Sequence, residues 1–252
     1  MSYLLAEHRQ AIALSNMGVS LLEKGLYREA LETIKDSVVA IKGLYGSQRC
    51  RSQNEHDVPV PLADEVKRAY RRLAQGKREI VSISIEVIAD DDGFCSIKNL
   101  KKNLTHSSNF SICYPIRIDS FNSDMHCLDF HSGIVLHNFS TAHLCLSRLP
   151  ELSPNRAQKL RDGAYKVGCL ANKTLAKLIL DDNEATFCGQ VLQETSLFMA
   201  TLATLKTLVS VLHESGCLRE AKAFFQRMLD LQGAVLDVGD VELYCTMAAS
   251  AA

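Results

Sequence analysis

The chain has no tryptophan, and only 5 prolines and 13 glycines among its 252 residues. So few breakers, with no glycine period, exclude collagen-like and low-complexity classes. Charge of one sign is also missing: 28 Lys plus Arg against 29 Asp plus Glu leave a formal net charge of −1. No global excess therefore draws the chain to nucleic acid or to an anionic membrane surface. Neither G-x-x-x-x-G-K-[ST] nor G-x-G-x-x-G occurs, which removes nucleotide binding through those phosphate loops. No run reaches the roughly 18 uninterrupted apolar residues of a spanning helix. The first residues set Glu7, His8, Arg9 and Gln10 where a signal peptide needs its apolar stretch. There is no C-x-x-C, and the 9 cysteines are odd in number. Most lie in hydrophobic periodic segments, where a reduced thiol behaves as a small apolar side chain. The expected location is an intracellular, reducing compartment, the cytoplasm or the nucleus, without membrane attachment. The N-x-[ST] matches at Asn103, Asn109, Asn138 and Asn172 are then read as chance.

What is present is apolar and periodic. Hydrophobic side chains make up 47% of the chain, ample for a core in one large domain or two small ones. Leu5, Ile12, Met17, Val19, Leu21 and Leu22 fit one face of a helix from Leu4 to Lys24, stopped by Gly25. Ala30, Leu31, Ile34, Val38 and Ile41 mark a second helix from Tyr27 to Leu44. The polar stretch 45–61 reads as a loop, and Pro61 and Gly76 bound a helix over 62–76. Period two then takes over. Val81, Ile83, Ile85 and Val87 form one strand, ended by the turn residues Asp90-Asp91-Asp92-Gly93. Ile112, Tyr114, Ile116 and Ile118 form another, which Pro115 places at an edge or a bulge. Two strands alone are marginal in water, so this ribbon must lie against helices or gain further strands. Helices resume over 124–149, from Ser153-Pro154 to Leu180, over 184–215, and from Arg219 to Leu231.

The fold class is therefore mainly α, with a small two-stranded β insertion around 79–118. We read a single domain over 1–252: helices in 1–76, the insertion in 77–120, helical hairpins in 121–235 and a tail over 236–252.

An internal duplication is the most informative feature. Leu14-x-x-Met17-Gly18-x-x-Leu21 is followed by Gly25, Tyr27, Ala30, Ile34 and Ser37. At the same offsets, Leu205-x-x-Leu208-Val209-x-x-Leu212 is followed by Gly216, Leu218, Ala221, Phe225 and Met228. Each unit reads as a helix, a glycine turn and an antiparallel helix, with a small Ala at the crossing. A weaker copy runs from Leu136 through Asn138-Phe139-Ser140 to His143, with Ala157 and Ala164 as the small residues after a longer loop. Asn138 before Phe139-Ser140 repeats Asn16 before Met17-Gly18.

This pattern resembles the tetratricopeptide repeat, a helix–turn–helix unit of about 34 residues. The resemblance covers residues 11–44 and 202–235, without the Trp and without a Pro ending the second helix. It implies stacked antiparallel hairpins (an α-α superhelix) with a concave groove for a peptide or partner helix. The groove positions it implies are Ser15, Asn16, Val19, Asn138, Lys206 and Ser210. Some members of the family grip carboxylate termini with Lys and Asn; Ser15 and Val19 stand at matching positions, so that activity is not carried over. Asn16 and Asn138 are expected to bond local backbone within the stack.

Residues that could carry chemistry converge poorly. His126, His131, His137 and His143, with Cys127 and Cys145, crowd the 124–149 helix, but only His126 and His137 share a face. Asp90–Gly93 lacks the flanking ligands of a calcium loop. Nothing frames a cysteine nucleophile. No catalytic residue, metal or cofactor is expected. Lys67, Arg68, Arg71, Arg72, Lys77 and Arg78 form a basic stripe, read as a solvated face. The expected function is a non-catalytic protein- or peptide-binding module. The alternatives are an RNA-associated helical-repeat protein using that stripe, or a Cys/His metal-dependent enzyme.

Overall fold

The computed structural model describes residues 2–49, 82–85, 113–118, 126–180 and 195–235. The described chain is mainly α-helical. Its elements are α1 (Ser2–Glu23), α2 (Tyr27–Arg49), β1 (Ile83–Ile85), β2 (Ile116–Ile118), α3 (His126–Ser147), α4 (Pro154–Leu180), α5 (Thr195–Glu214) and α6 (Leu218–Val235). The helix expected over 62–76 with its basic stripe, the turn at Asp90–Gly93 and the tail 236–252 lie outside the described residues.

The two glycine turns are the same structure. The Leu26 N–H donates to the Leu21 carbonyl (3.0 Å) and the Gly25 N–H to that of Leu22 (3.0 Å). At the other end of the chain the Cys217 N–H donates to Leu212 (2.9 Å) and the Gly216 N–H to His213 (3.1 Å). This crossed pair satisfies two of the last carbonyls of the helix and needs a left-handed residue just past its end. Gly25 and Gly216 supply it, with φ of 73° and 75°. The α3–α4 turn has no such glycine and is longer; Pro154 opens α4, and the Ala157 N–H donates to the Ser153 carbonyl (2.9 Å).

The small residues sit where the helices cross. Ala30 is fully buried and Ala221 nearly so. A methyl group built on Gly18 would lie 2.2 Å from Ile34 Cγ1, so α1 and α2 approach as closely as glycine allows. Ser37 Oγ donates to the Ala11 carbonyl (2.7 Å), and on the next hairpin Ser140 Oγ donates to the Ala164 carbonyl (2.7 Å). Tyr45 ties α2 to α3 by donating to Asp129. Each helix packs on its sequence neighbours, and α1, α3 and α5 also touch one another in that order. The three form a row.

One expectation needs correction, and two further features were not anticipated. The polar stretch after Leu44 does not become a loop at once, because α2 continues to Arg49 through Gly43 and Gly46. A methyl group built on either glycine would meet nothing within 4 Å, so no packing demands glycine there, and its weak helix propensity is absorbed by a long helix. β1 and β2 pair in parallel, Ile83 opposite Ile116 and Ile85 opposite Ile118. A tight turn cannot join such strands, since the chain has to return to the same end first. Among the described residues, Ser196–Glu214 alone is long and apolar enough, by length and composition, to cross a membrane. Inside the fold, 89% of that window is buried, the environment of a core helix.

Candidate functional site

The row of α1, α3 and α5 is occupied by the chain itself. Residues 113–118 run along it extended, and all except Arg117 are buried. One edge of β2 pairs with β1. A backbone buried in this way must satisfy its N–H and C=O groups on the other edge as well. Two asparagines do so. The Ile116 N–H donates to Asn138 Oδ1 (2.8 Å), and Asn138 Nδ2 donates back to the Ile116 carbonyl (2.8 Å). Two residues on, the Ile118 N–H donates to Asn16 Oδ1 (3.0 Å), and Asn16 Nδ2 donates to the Ile118 carbonyl (2.8 Å). Each carboxamide presents the acceptor and donor that a neighbouring strand would present. The second Nδ2 hydrogen of Asn138 goes to Ser15 Oγ (3.1 Å).

The third backbone contact comes from His137. Its Nε2 lies 2.9 Å from the Tyr114 carbonyl, which can only accept, so that nitrogen carries the proton. Its Nδ1 lies 3.2 Å from the Thr204 hydroxyl of α5. Burial pushes the His137 imidazole down to about 4, against a smaller upward pull from the Tyr114 carbonyl, so the ring is neutral near pH 7. Residues 114, 116 and 118 are thus read through their backbones by α3, α3 and α1.

Side chains fix the register. Lys206 of α5 sets its ammonium 4.8 Å from the centre of the Tyr114 ring, a cation–π contact, and its desolvation lowers its proton affinity. Ile116 is fully buried and Ile118 almost so, within one apolar cluster with Ile134 and Leu175. Arg117 turns to α1, where it donates to Glu23 Oε2 (2.6 Å) and Ser20 Oγ (2.7 Å). Ser82, just before β1, completes this group by donating to Glu23 and accepting from Arg117 Nε (3.2 Å).

Cys113 lies in the core with Cys145. The Cys145 thiol hydrogen-bonds Cys113 and lowers its proton affinity, helped by Arg148 and opposed by burial, while the same pair raises that of Cys145. Arg148 in turn donates through Nε and Nη2 to Glu214 Oε1 (2.9 and 2.6 Å), linking the ends of α3 and α5. Both thiols are buried, so no substrate reaches them in this conformation.

Of the six groove positions taken from the sequence, Asn16, Asn138 and Lys206 touch residues 114–118, and Ser15 supports Asn138 from behind. Val19 is buried in the helix packing, and Ser210 Oγ donates to the Lys206 carbonyl of its own helix (3.0 Å). The expectation that the asparagines bond local backbone is corrected, because their partners are 102 and 22 positions away. The histidines of α3 separate as well. His131 Nδ1 faces His8 Nε2 of α1 (3.2 Å), His137 faces the strand, and His143 lies 2.9 Å from the Phe139 carbonyl. Among the described residues no three His, Cys, Asp or Glu side chains cluster as a metal would require. The side chains of His126 and Cys127, and all of Lys67, Arg68, Arg71, Arg72, Lys77 and Arg78, lie outside the described residues.

Sequence reasoning missed His137, Thr204, Glu23 and the strand itself as parts of the site. The available signal was the alternation Tyr114-x-Ile116-x-Ile118, whose burial on both faces needs a cover that the insertion alone does not supply. Comparison of the chain with protein-family models, with curated proteins and with solved structures returns no significant match.

Proposed function

We propose that this chain is a non-catalytic interaction module of the tetratricopeptide kind, gripping extended polypeptide in the groove along α1, α3 and α5. One observation carries the reading. Asn16 and Asn138, at matching places in two hairpins, each bind both backbone groups of a residue in one extended segment. A pair of helix-borne carboxamides spaced to meet alternate residues is a device for holding a strand, independent of much of its sequence. The matched glycine turns and the close crossings at Gly18 and Ala30 support the repeat assignment.

Panning a display library of random linear peptides on the full chain tests this. Peptides that bind the wild type and lose most of their affinity for a folded Asn16→Ala variant support the proposal. Recovery of no binders, or only of binders indifferent to that change, would end it.

A further inference from the structure

Resting on the groove reading above, we infer that the natural partner is an extended segment of the pattern aromatic–x–β-branched–basic–β-branched, which binds by taking the place of this chain's own residues 114–118. The receptor parts belong to the helices: Asn16 and Asn138 stand at corresponding positions of the duplicated hairpin, whereas the strand belongs to the insertion between hairpins. Backbone contacts from Asn16, Asn138 and His137 would serve any extended chain. The side-chain requirements come from what the helices leave in the groove.

Lys206 is 8% exposed and sits over a ring, so a desolvated ammonium asks for an aromatic face at the first position. The third position is closed on all sides, Ile116 being fully buried in a cluster with Ile134 and Leu175, and it accepts a β-branched aliphatic that suits extended backbone. At the fourth position the Glu23 side chain is 11% exposed and bound to a guanidinium that also reaches Ser20. Replacing that cation by a neutral or acidic side chain would cost a mostly buried carboxylate its charged contact at 2.6 Å, so a basic residue is preferred there. The fifth position repeats the third. The resident segment competes as an intramolecular ligand at an effective concentration of order mM, so a partner gains access most readily when the resident's grip is loosened.

The probe is a synthetic peptide with the sequence of residues 112–119, Cys113 replaced by Ser, alongside a second peptide with Glu in place of Arg117. Both are titrated against the full chain as wild type, as Arg117→Glu, which opposes Glu23 with a like charge, and as Glu23→Gln, which removes the charge preference without reversing it. Alkylation of Cys113, resolved by mass spectrometry, reports whether the resident segment has left its place. We expect the Arg117→Glu chain to bind the Arg peptide at least about tenfold more tightly than the wild type does. We also expect the Arg peptide to be preferred over the Glu peptide, that preference to vanish in Glu23→Gln, and Cys113 alkylation to speed up as the site fills. Binding without charge preference, or with Cys113 as protected as before, would overturn the inference and leave the groove reading standing. Absence of binding to all three chains would overturn both.

Discussion

Asn138 on α3 and Asn16 on α1 hold Ile116 and Ile118 by the same pair of hydrogen bonds, 2.8 and 2.8 Å for one and 3.0 and 2.8 Å for the other. They differ in burial. Asn138 is wholly enclosed and spends its remaining donor on Ser15, whereas the Asn16 bonds are part-buried. Replacing Asn138 by the near-isosteric Leu strands an N–H, a carbonyl and a hydroxyl in the interior, for an expected loss of about 2–4 kcal/mol. Asn16→Leu should cost about half as much, because water reaches part of that site. Urea titrations rank the two, and equal losses would contradict the clamp as described.

Gly18 and Gly43 offer a contrast within one hairpin. A methyl at Gly18 would run into Ile34, forcing α1 and α2 apart, for about 1–3 kcal/mol or more. The same substitution at Gly43 meets nothing within 4 Å and replaces a poor helix former by the best, a gain of about 0.5–1 kcal/mol. Thermal melts of Gly18→Ala and Gly43→Ala should move in opposite directions.

Acid should weaken the fold through its histidines before it reaches most carboxylates. Burial lowers His137 and His131 to about 4 from an ordinary 6.5, the neighbouring His8 adding to the shift of His131. Above pH 6.5 neither folded nor unfolded chain protonates them, and their contribution is level. Between 6.5 and 4 the unfolded chain takes up protons that the folded chain refuses, so stability falls as pH falls, by about 1.4 kcal/mol per unit for each ring. His137→Gln keeps an N–H for the Tyr114 carbonyl and removes one of the buried histidine titrations, those of His8, His131 and His143 remaining. Its stability should decline less steeply than that of wild type over this window, and parallel declines would refute the assignment.

Thr207 stands in α5 at the place of Asn16 and Asn138, but its buried hydroxyl has no hydrogen-bond partner among the described residues. Thr207→Val removes that desolvated group at nearly constant shape and should stabilise the chain by about 1 kcal/mol. Destabilisation in a denaturant titration would mean the hydroxyl is bonded.

The helices and their two glycine turns were legible because their determinants are local. Gly25 and Gly216, Ala30 and Ala221, and the apolar stripes between them are set by helix period and by the left-handed turn, which a single segment expresses by itself. Pro154 likewise announced the start of α4. The site was legible in halves: the recurrence of asparagine at 16 and 138 marked the residues, while their partner could not be read from either helix. Its identity depends on the parallel direction of β2 and on α1 and α3 standing side by side, and both are products of tertiary packing. Glu23 and Arg117 show the same limit, each an ordinary helix-end or strand residue until the chain brings them together.

The span of the Asn16–Ile118 bonds, 102 positions, has a kinetic consequence. β2 meets Asn16 and Asn138 together only once α1 and α3 stand side by side, so its docking is expected late, after helix assembly. Substitutions that loosen the strand, Arg117→Ala among them, should then leave the refolding rate nearly unchanged and act chiefly by accelerating unfolding. The helical frame would outlast its inserted strand as the last part to melt.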